Sequence, residues 1–382
     1  MKIGIITQPL LNNYGGLLQN YALQNTLIKL GHDVETIDWN PIPASKLRVL
    51  LWQYKQGIIS HINKSIEKPR YQLSPSELSY ISKNTKHFID GHISVCPIKV
   101  NNQADFKVVD FKYHYDAYVV GSDQVWRPGY NAAFLPAMFL DFVSHKDIKK
   151  VAYAASFGTS TWEFSAQQTT EFSLLAKQFD LITVREDNAV DLCKEYLGVA
   201  ATHVLDPTML LDKEEYEDLV FEEKESQSNG TLFYYILDPS ANKTSLIREI
   251  ERSEQLNAFT VMPSCQSENR TKSDVKNRID DCVFPSVTKW IRGFMDAKMV
   301  IVDSFHGAVF SILFNKPFWV INNNDRGNAR FASLLKMFGL QDRMINNDTI
   351  IQWNKPIDWD RVNHILEVRR QSSLDLLKHA LE

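Results

Sequence analysis

The sequence contains two successive runs in which short apolar strands alternate with helices, and this double alternation is the feature that most restricts its fold. In the first run, the spacing of apolar residues predicts a strand at 2–8, a helix at 17–30 and a second strand at 33–39. Gly31 stands where a helix commonly ends. Because strand–helix–strand crossovers are right-handed, these two strands are expected to be parallel.

Interruptions of the alternation predict the domain organisation. Pro41 and Pro43 precede helix-like stretches at 47–66 and 75–90, which we interpret as an insertion at about 41–100. The acidic segment at 214–230 precedes the second run and predicts a domain boundary. The expected units are an N-terminal domain at 1–215, a C-terminal domain at 216–355 and a last helix at 356–382. The 382 residues thus suit two Rossmann-type, doubly wound parallel-sheet α/β domains that face each other across a cleft.

Composition excludes several classes of protein. Hydrophobic residues make up 44% of the chain and charged residues 23%, which is typical of a soluble globular protein. A net charge of -4 argues against nucleic-acid binding. The four cysteines lack metal-ligand or disulfide spacing, and no segment has the pattern of a signal peptide or membrane span. These features predict a cytoplasmic protein that requires no metal.

Polar residues follow the first predicted strand, at the end of the sheet where ligands of open parallel sheets bind. Asn13 and Tyr14 precede the glycine pair Gly15 and Gly16. Glycines allow a backbone to approach a ligand closely, and the N-terminus of the following helix favours an anion. An ordinary turn between a strand and a helix explains the same residues equally well.

The segment GSDQVW at 121–126 also places polar residues directly after a predicted strand. Asp123 and Gln124 are candidates for binding sugar hydroxyls, and Trp126 is a candidate for stacking on a pyranose ring. The alternative is that Ser122 or Asp123 caps a helix and Trp126 belongs to the core.

Arg185 directly follows an apolar strand at 181–184, a position that suits bidentate recognition of phosphate or carboxylate. The alternative is a salt bridge to a neighbouring acid.

A histidine occupies the corresponding junction of the second run. Asp303 or Ser304 is expected to cap a helix that contains His306 in its first turn, next to Gly307. Such a histidine, near a bound phosphate, is a suitable general acid. Farther along the chain, Arg326 and Arg330 stand in a polar loop before a helix, where either is able to close over an anion or to cap the loop.

Taken in order along the chain, these motifs resemble those of the polysaccharide pyruvyl transferase family. The matching segments extend from residue 12 to about residue 340: NNYGGLLQNYALQ, GSDQVWRP, VRED, LDPTML, DSFHGAVFSILFNKPF and the RF..LL...GL ending. The resemblance implies a GT-B-like pair of domains and phosphoenolpyruvate as donor, without a further cofactor. It also implies a cyclic pyruvate ketal on a hexose of a surface polysaccharide, glycolipid or cell-wall polymer.

The resemblance assigns roles to particular residues. His306 matches the family's active-site histidine and Arg185 an arginine of the first domain. Some members carry arginine where this chain has Ser304, so Arg326 or Arg330 is expected to supply that charge. The predicted donor-binding residues are Arg326, Arg330, Ser304, Gly307, Gly15 and Gly16. The predicted acceptor-binding residues are Asn13, Tyr14, Asp123, Gln124 and Trp126.

Two other functions remain as alternatives: a GT-B glycosyltransferase that uses a nucleotide-sugar, and a non-catalytic sugar-binding relative, which the Ser304 departure favours. The segment at 46–70 alternates basic and apolar residues. It is expected either to pack on its own domain or to contact the inner face of the membrane, where it would reach a lipid-linked acceptor.

Overall fold

A computed structural model describes residues 1–39, 73–265, 272–322, 328–345 and 351–382. The predicted helix at 47–66, the basic segment at 46–70 and Arg326 lie outside these residues. In the described part of the chain, no helix is both long enough and apolar enough to cross a membrane.

The first half of the chain forms a parallel sheet in the strand order β2-β1-β3-β4-β5-β6. Strand β4 carries consecutive apolar side chains that are all buried, such as Val151, Ala152 and Tyr153, as expected for a sheet covered by helices on both faces. The strands are β1 (Lys2–Ile6), β2 (Asp33–Thr36), β3 (Ala117–Val120), β4 (Lys149–Ala155), β5 (Leu181–Val184) and β6 (Thr202–His203). The helices are α1 (Tyr14–Lys29), α2 (Pro75–Ile81), α3 (Lys83–His92), α4 (Gln103–Tyr113), α5 (Pro128–Asn131), α6 (Ala166–Ala176), α7 (Asp187–Leu192) and α8 (Lys213–Glu222).

The second half forms another parallel sheet, in the order β11-β10-β9-β7-β8. Its strands are β7 (Leu232–Tyr235), β8 (Ala258–Phe259), β9 (Met299–Val302), β10 (Phe318–Ile321) and β11 (Met344–Ile345). Its helices are α9 (Ala241–Ser253), α10 (Lys272–Asn277), α11 (Val287–Asp296), α12 (Phe305–Leu313), α13 (Asn328–Phe338) and α14 (Trp359–Leu381). The predicted α/β fold, a GT-B-like pair of doubly wound parallel sheets, is confirmed.

The acidic segment at 214–230, predicted to contain a domain boundary, is helical over its first half. Helix α8 spans the predicted boundary at 215/216 and begins with a capping box between Asp212 and Glu215. Acidic residues in a first turn are stabilised by the helix dipole, so Glu214 and Glu215, part of the acidic pattern that predicts the boundary, support the start of a helix. Tyr216, Leu219 and Val220 bury its apolar face.

The last helix returns from the second half to pack against the first. The Ser373 hydroxyl of α14 accepts a hydrogen bond from the backbone N–H of Leu205 (3.3 Å). Arg370 donates from Nε to the carbonyl oxygen of Met209 (2.9 Å). Helix α14 therefore joins the two halves by packing on the segment that follows β6.

Candidate active site

The cleft between the sheets lies at their topological switch points. Strand order reverses between β1 and β3 in the first sheet and between β7 and β9 in the second. Ligands of open α/β sheets bind at the carboxyl ends of strands at such points. A cavity of about 280 Å³ occupies this position. The predicted site residues that line it are Asn13, Gly15, Asp123, Gln124, Ser304, His306 and Arg330.

His306 lies in the first turn of α12, directly after β9. Ser304 caps this helix, since its Oγ accepts a hydrogen bond from the backbone N–H of Gly307 (3.0 Å). The His306 ring is 7% exposed, and its Nε2 lies 3.5 Å from Oδ2 of Asp206. On its other side the ring packs against Gly15, where an added Cβ atom would lie 2.1 Å from Nδ1. The ring, which belongs to the second half of the chain, is therefore held between two residues of the first half.

Asp206 is a site residue that the sequence pattern did not predict. It follows β6, and its buried carboxylate accepts hydrogen bonds from the backbone and hydroxyl of Thr208 (3.0 and 2.7 Å) and from the Ser122 hydroxyl (3.1 Å). Burial alone would raise the pKa of Asp206, but the charges of His306 and Arg185 outweigh it and hold the pKa well below its usual range. The carboxylate therefore stays ionised beside His306. Its signal in the sequence is an acid shortly after a strand and directly before a proline, in the segment LDPTML.

Arg185 is predicted to bind the donor anion, but the structure places it behind the cavity among three carboxylates. Its Nη1 lies 3.0 Å from Asp206 Oδ2, its Nη2 3.3 Å from Asp123 Oδ1, and its Nε 3.7 Å from Glu186 Oε1. The guanidinium also stacks 4.4 Å from the ring centre of Phe305. The salt-bridge alternative therefore describes Arg185, which fixes the carboxylates around His306 rather than lining the cavity.

Asp123 adopts a backbone conformation that few side chains tolerate. Its φ is 69°, in the left-handed region where aspartate is among the more acceptable residues. Its Oδ1 accepts hydrogen bonds from the backbone N–H of Gln124 (2.9 Å) and from Arg185 Nη2 (3.3 Å). Burial opposes its ionisation, but the charges of Arg185, His306 and Arg330 outweigh this and lower the pKa of Asp123. An ionised carboxylate therefore faces the cavity.

Gln124 is held by contacts on both its backbone and its side chain. Its carbonyl oxygen accepts hydrogen bonds from Gln8 Nε2 (3.0 Å) and Asn131 Nδ2 (2.8 Å). Its Oε1 accepts one from Arg127 Nη1 (2.8 Å). The side chain packs on Gly158, where a Cβ would lie 2.1 Å from Oε1. This arrangement fixes the amide at the cavity wall.

Trp126 is predicted to stack on an acceptor sugar, and this prediction is wrong. The ring is fully buried, stacks on Phe139 at 4.9 Å between ring centres and donates from Nε1 to the carbonyl oxygen of Met138 (2.9 Å). The alternative, a core tryptophan, is what the structure contains.

Tyr14, also predicted to bind the acceptor, is buried in the contact between the two halves. Its hydroxyl donates to the carbonyl oxygen of Pro285 (2.9 Å), and its ring stacks on Trp290 at 5.9 Å. Burial raises the pKa of Tyr14 well above its ordinary value, so it remains a neutral phenol. Tyr14 therefore positions α1 against α11 and is not part of the cavity wall.

Helix α1 begins at Tyr14, three residues before the predicted start at residue 17. Gly15 and Gly16 consequently lie in its first turn, and the N-cap residue Asn13 makes no side-chain cap hydrogen bond. Since α12 also begins at the cavity, two helix N-termini converge there. Both carry partial positive charge, which favours an anion between them.

Two glycines predicted to bind the donor serve packing instead. Gly16 is buried behind Asn13, whose Nδ2 would lie 3.1 Å from an added Cβ. The N–H of Gly307 is occupied by Ser304, and an added Cβ would lie 2.6 Å from Val302 Cγ1. Gly307 therefore allows α12 to pack closely on β9.

Arg330, on α13, brings a positive charge to the cavity wall from the second half of the chain. Burial and the charge of Arg185 lower the pKa of Arg330 to about 10, while Asp123 and Glu186 act in the opposite direction. The guanidinium therefore remains protonated at neutral pH. In the described part of the chain, no group of three histidine, cysteine or acidic side chains is able to hold a metal.

The fold and the position of the cleft define a GT-B-like α/β protein whose site combines a histidine with a buried network of acids and arginines. The model of the family described as polysaccharide pyruvyl transferase matches residues 13–325, most of the chain, and the protein belongs to that family. No curated protein matches this chain in sequence.

Solved structures with a similar backbone include nucleotide-sugar enzymes. The UDP-GlcNAc 2-epimerase of Methanocaldococcus jannaschii, in complex with UDP-GlcNAc and UDP, is 11% identical with a TM-score of 0.49, covering 97% of this chain and 92% of its own. The Neisseria meningitidis UDP-GlcNAc 2-epimerase is 11% identical, with a TM-score of 0.47 and coverage of 97% and 91%. MurG of Acinetobacter baumannii is 11% identical, with a TM-score of 0.38 and coverage of 99% and 94%.

Proposed function

We propose that this protein transfers pyruvate from phosphoenolpyruvate to two hydroxyls of a hexose in a surface polysaccharide, glycolipid or cell-wall polymer, forming a cyclic ketal. The observation that carries this proposal is the placement of His306 in the first turn of α12, between Gly15 and the ionised Asp206. In this member of the pyruvyl transferase family, His306 would thereby act as an oriented acid in the cavity where two helix N-termini favour an anion.

The cavity has the charges that a phosphate and a carboxylate require. The N-termini of α1 and α12 supply backbone N–H groups, and Arg330 supplies a full positive charge. Arg330 occupies the role proposed for a family arginine that this chain replaces with Ser304. Arginines and helix termini neutralise the anion without a metal.

The proposed reaction begins with proton transfer from the imidazolium of His306 to the methylene carbon of phosphoenolpyruvate. Because Nε2 faces Asp206, the nitrogen available for this transfer is Nδ1, on the Gly15 side of the ring. The carbocation at C2 is attacked by one sugar hydroxyl, whose proton returns to His306. Phosphate then leaves, the second hydroxyl closes the ketal, and its proton goes to phosphate.

Asp123 and Gln124 are proposed to hold the acceptor hydroxyls. Both line the cavity together with His306, one as an ionised acceptor of hydrogen bonds and the other as an amide with donor and acceptor atoms. The second hydroxyl would donate to Asp123 while the first attacks C2 and passes its proton to His306.

The test begins with isothermal titration of the protein with phosphoenolpyruvate, using UDP-glucose and inorganic phosphate as controls. We expect selective binding of phosphoenolpyruvate that weakens about tenfold or more in Arg330→Gln, since a charge-assisted hydrogen bond is lost. Arg292→Gln is the matched control, because Arg292 pairs with Asp296 on α11 and does not line the cavity. Binding of UDP-glucose without phosphoenolpyruvate would instead identify a glycosyltransferase, and glycan binding without any donor a sugar-binding relative.

The acid role of His306 is tested separately. His306→Asn is expected to retain phosphoenolpyruvate binding and to lose phosphate release in the presence of hexose-containing acceptors. Phosphate release at the wild-type rate in this variant would exclude His306 as the acid.

A further inference from the structure

The aromatic side chains at the cavity differ sharply in exposure. In the described residues, those that line it are Tyr130, Tyr235 and Phe305. Tyr235 and Phe305 are each 4% exposed, whereas Tyr130 is 51% exposed. With Trp126 in the core, Tyr130 is the aromatic ring that a ligand entering the cavity reaches from solvent.

The ring of Tyr130 is held in place on one side. Asn131, the next residue, ties helix α5 to the wall by donating to the carbonyl oxygens of Gln124 (2.8 Å) and Val125 (3.0 Å). The guanidinium of Arg127 stacks 4.7 Å from the centre of the Tyr130 ring. Arg127 is itself fixed by Gln124 Oε1 (2.8 Å) and by an ion pair with Glu163 (3.6 Å). The contact with Arg127 therefore restricts the ring on one face, which lowers the side-chain entropy that binding would cost.

Tyr130 is exposed to solvent and also lines the cavity that contains the proposed reacting groups. Its phenol is within electrostatic range of Arg330, and the next residue, Asn131, is hydrogen-bonded to the carbonyl oxygen of the wall residue Gln124. A sugar ring lying on Tyr130 would share the cavity with Gln124 and Asp123, whose side chains form hydrogen bonds with hydroxyls. Aromatic rings combine a large apolar face with a polar tip, which matches the apolar C–H face and polar edge of a pyranose.

We propose that Tyr130 is the stacking platform for the pyranose ring of the acceptor, at the mouth of the cavity. This inference rests on the proposed function for the identity of the acceptor as a hexose. It assigns the donor to the inner end of the cavity, at His306 and Arg330, and the acceptor ring to the exposed end.

The experiment uses 3-fluorotyrosine-labelled protein and a panel of probes: methyl α-mannopyranoside, methyl β-glucopyranoside and methyl β-galactopyranoside. Tyr130→Phe identifies the fluorine resonance of Tyr130 by its absence. We expect at least one probe to shift that resonance saturably, and Tyr130→Ala to weaken binding of the probe about fivefold or more while Tyr130→Phe retains it. The proposal is overturned if no probe shifts the resonance, or if Tyr130→Ala binds the probe as the wild type does.

Tyr80→Ala is the matched control, because Tyr80 is also exposed (39%) and has a cation, Lys83, 4.4 Å from its ring centre, but does not line the cavity. This variant should bind the probes normally, and a loss of binding equal to that of Tyr130→Ala would contradict the assignment. Titration of Tyr130→Ala with phosphoenolpyruvate separates the two proposals. If sugar binding depends on Tyr130 but the wild type does not bind phosphoenolpyruvate either, the assignment of Tyr130 as the stacking platform is supported and the pyruvyl-transfer proposal is excluded.

Discussion

Nε2 of His306 and Oδ2 of Asp206 lie 3.5 Å apart, although one residue follows the second-sheet strand β9 and the other the first-sheet strand β6. The pair therefore forms only when the two halves come together. Since Asp206 is ionised, the hydrogen on the His306 ring is favoured at Nε2, which leaves Nδ1 directed toward Gly15.

Replacement of Asp206 by asparagine is expected to lower the free energy of unfolding by about 3 kcal/mol, because it removes one charge from a buried network with Arg185. Denaturant titration measures this loss. Asp212→Asn is the control: Asp212 also pairs with an arginine, Arg370, but is 64% exposed, and the change should cost less than about 1 kcal/mol.

The same variant tests the orientation of His306. In Asp206→Asn, imidazole ¹⁵N shifts should show a loss of the Nε2–H tautomer. An unchanged tautomer would mean that Asp206 stabilises the fold without orienting the ring.

Replacement of Gly15 by alanine should weaken phosphoenolpyruvate binding about tenfold or more, because the new Cβ would lie 2.1 Å from Nδ1 of His306 and would push apart the N-termini of α1 and α12, which are proposed to hold the anion. Alanine favours a helix over glycine, so a loss here would come from the contact and not from helix propensity. Gly91→Ala, in α3 with no atom within 4 Å of the added Cβ, should bind normally. Titration calorimetry compares the two, and equal binding by both variants would show that the ring yields freely.

Gly158→Ala is expected to destabilise the protein more than Gly198→Ala. Both glycines have positive φ, 75° and 66°, so alanine costs about 1 kcal/mol at either position. At Gly158 the Cβ would also lie 2.1 Å from Gln124 Oε1, whereas at Gly198 the nearest atom is 3.6 Å away. Overpacking should add a further loss of about 1–3 kcal/mol at Gly158, measured by denaturant unfolding. Equal losses would show that Gln124 moves aside without cost.

Stability should fall below about pH 6.5 in a way that depends on His203. Burial lowers the pKa of His203, whose Nε2 lies 3.0 Å from the carbonyl oxygen of Arg185. Between the lowered pKa and the unfolded value of about 6.5, the unfolded chain binds more protons, so stability rises with pH across this window. His203→Gln should flatten the slope by up to about 1.4 kcal/mol per pH unit.

Thermal unfolding at several pH values between 5 and 7 measures this difference. Burial also lowers the pKa of His32, so a remaining slope is expected in His203→Gln and should decrease in the variant that also carries His32→Gln. Identical slopes in the wild type and His203→Gln would exclude the role of His203.

The fold was predictable because its signals are local: apolar periodicity, helix stops and the order of strands and helices. The direction in which the site side chains point could not be predicted in this way, because it depends on contacts with residues distant in the sequence. At Asp123 the left-handed backbone turns the chain, and Trp126 then enters a core completed by Phe139. Arg185 has one carboxylate partner next to it in the sequence, Glu186, but the other two, Asp123 and Asp206, come from distant segments, so no single stretch of sequence distinguishes it from a ligand-binding arginine.

The cavity residues that were correctly brought together follow strands at the switch points. His306, Ser304, Asp123 and Gln124 needed only the rule that ligands bind at carboxyl ends. Asp206 and Tyr130 were missed for the same reason. Asp206 follows a strand of two residues, and Tyr130 lies in a helix of four, too short in each case for periodicity to reveal its direction.

The return of α14 to the first half has a consequence for the order in which the protein matures. Leu205 obtains its partner Ser373 from 168 residues farther along the chain. A nascent chain that has already formed β1–β6 would therefore leave the ribosome with this flank uncovered. The first sheet would reach its full stability only after the second has been synthesised, which makes completion of the cleft a late event in biogenesis.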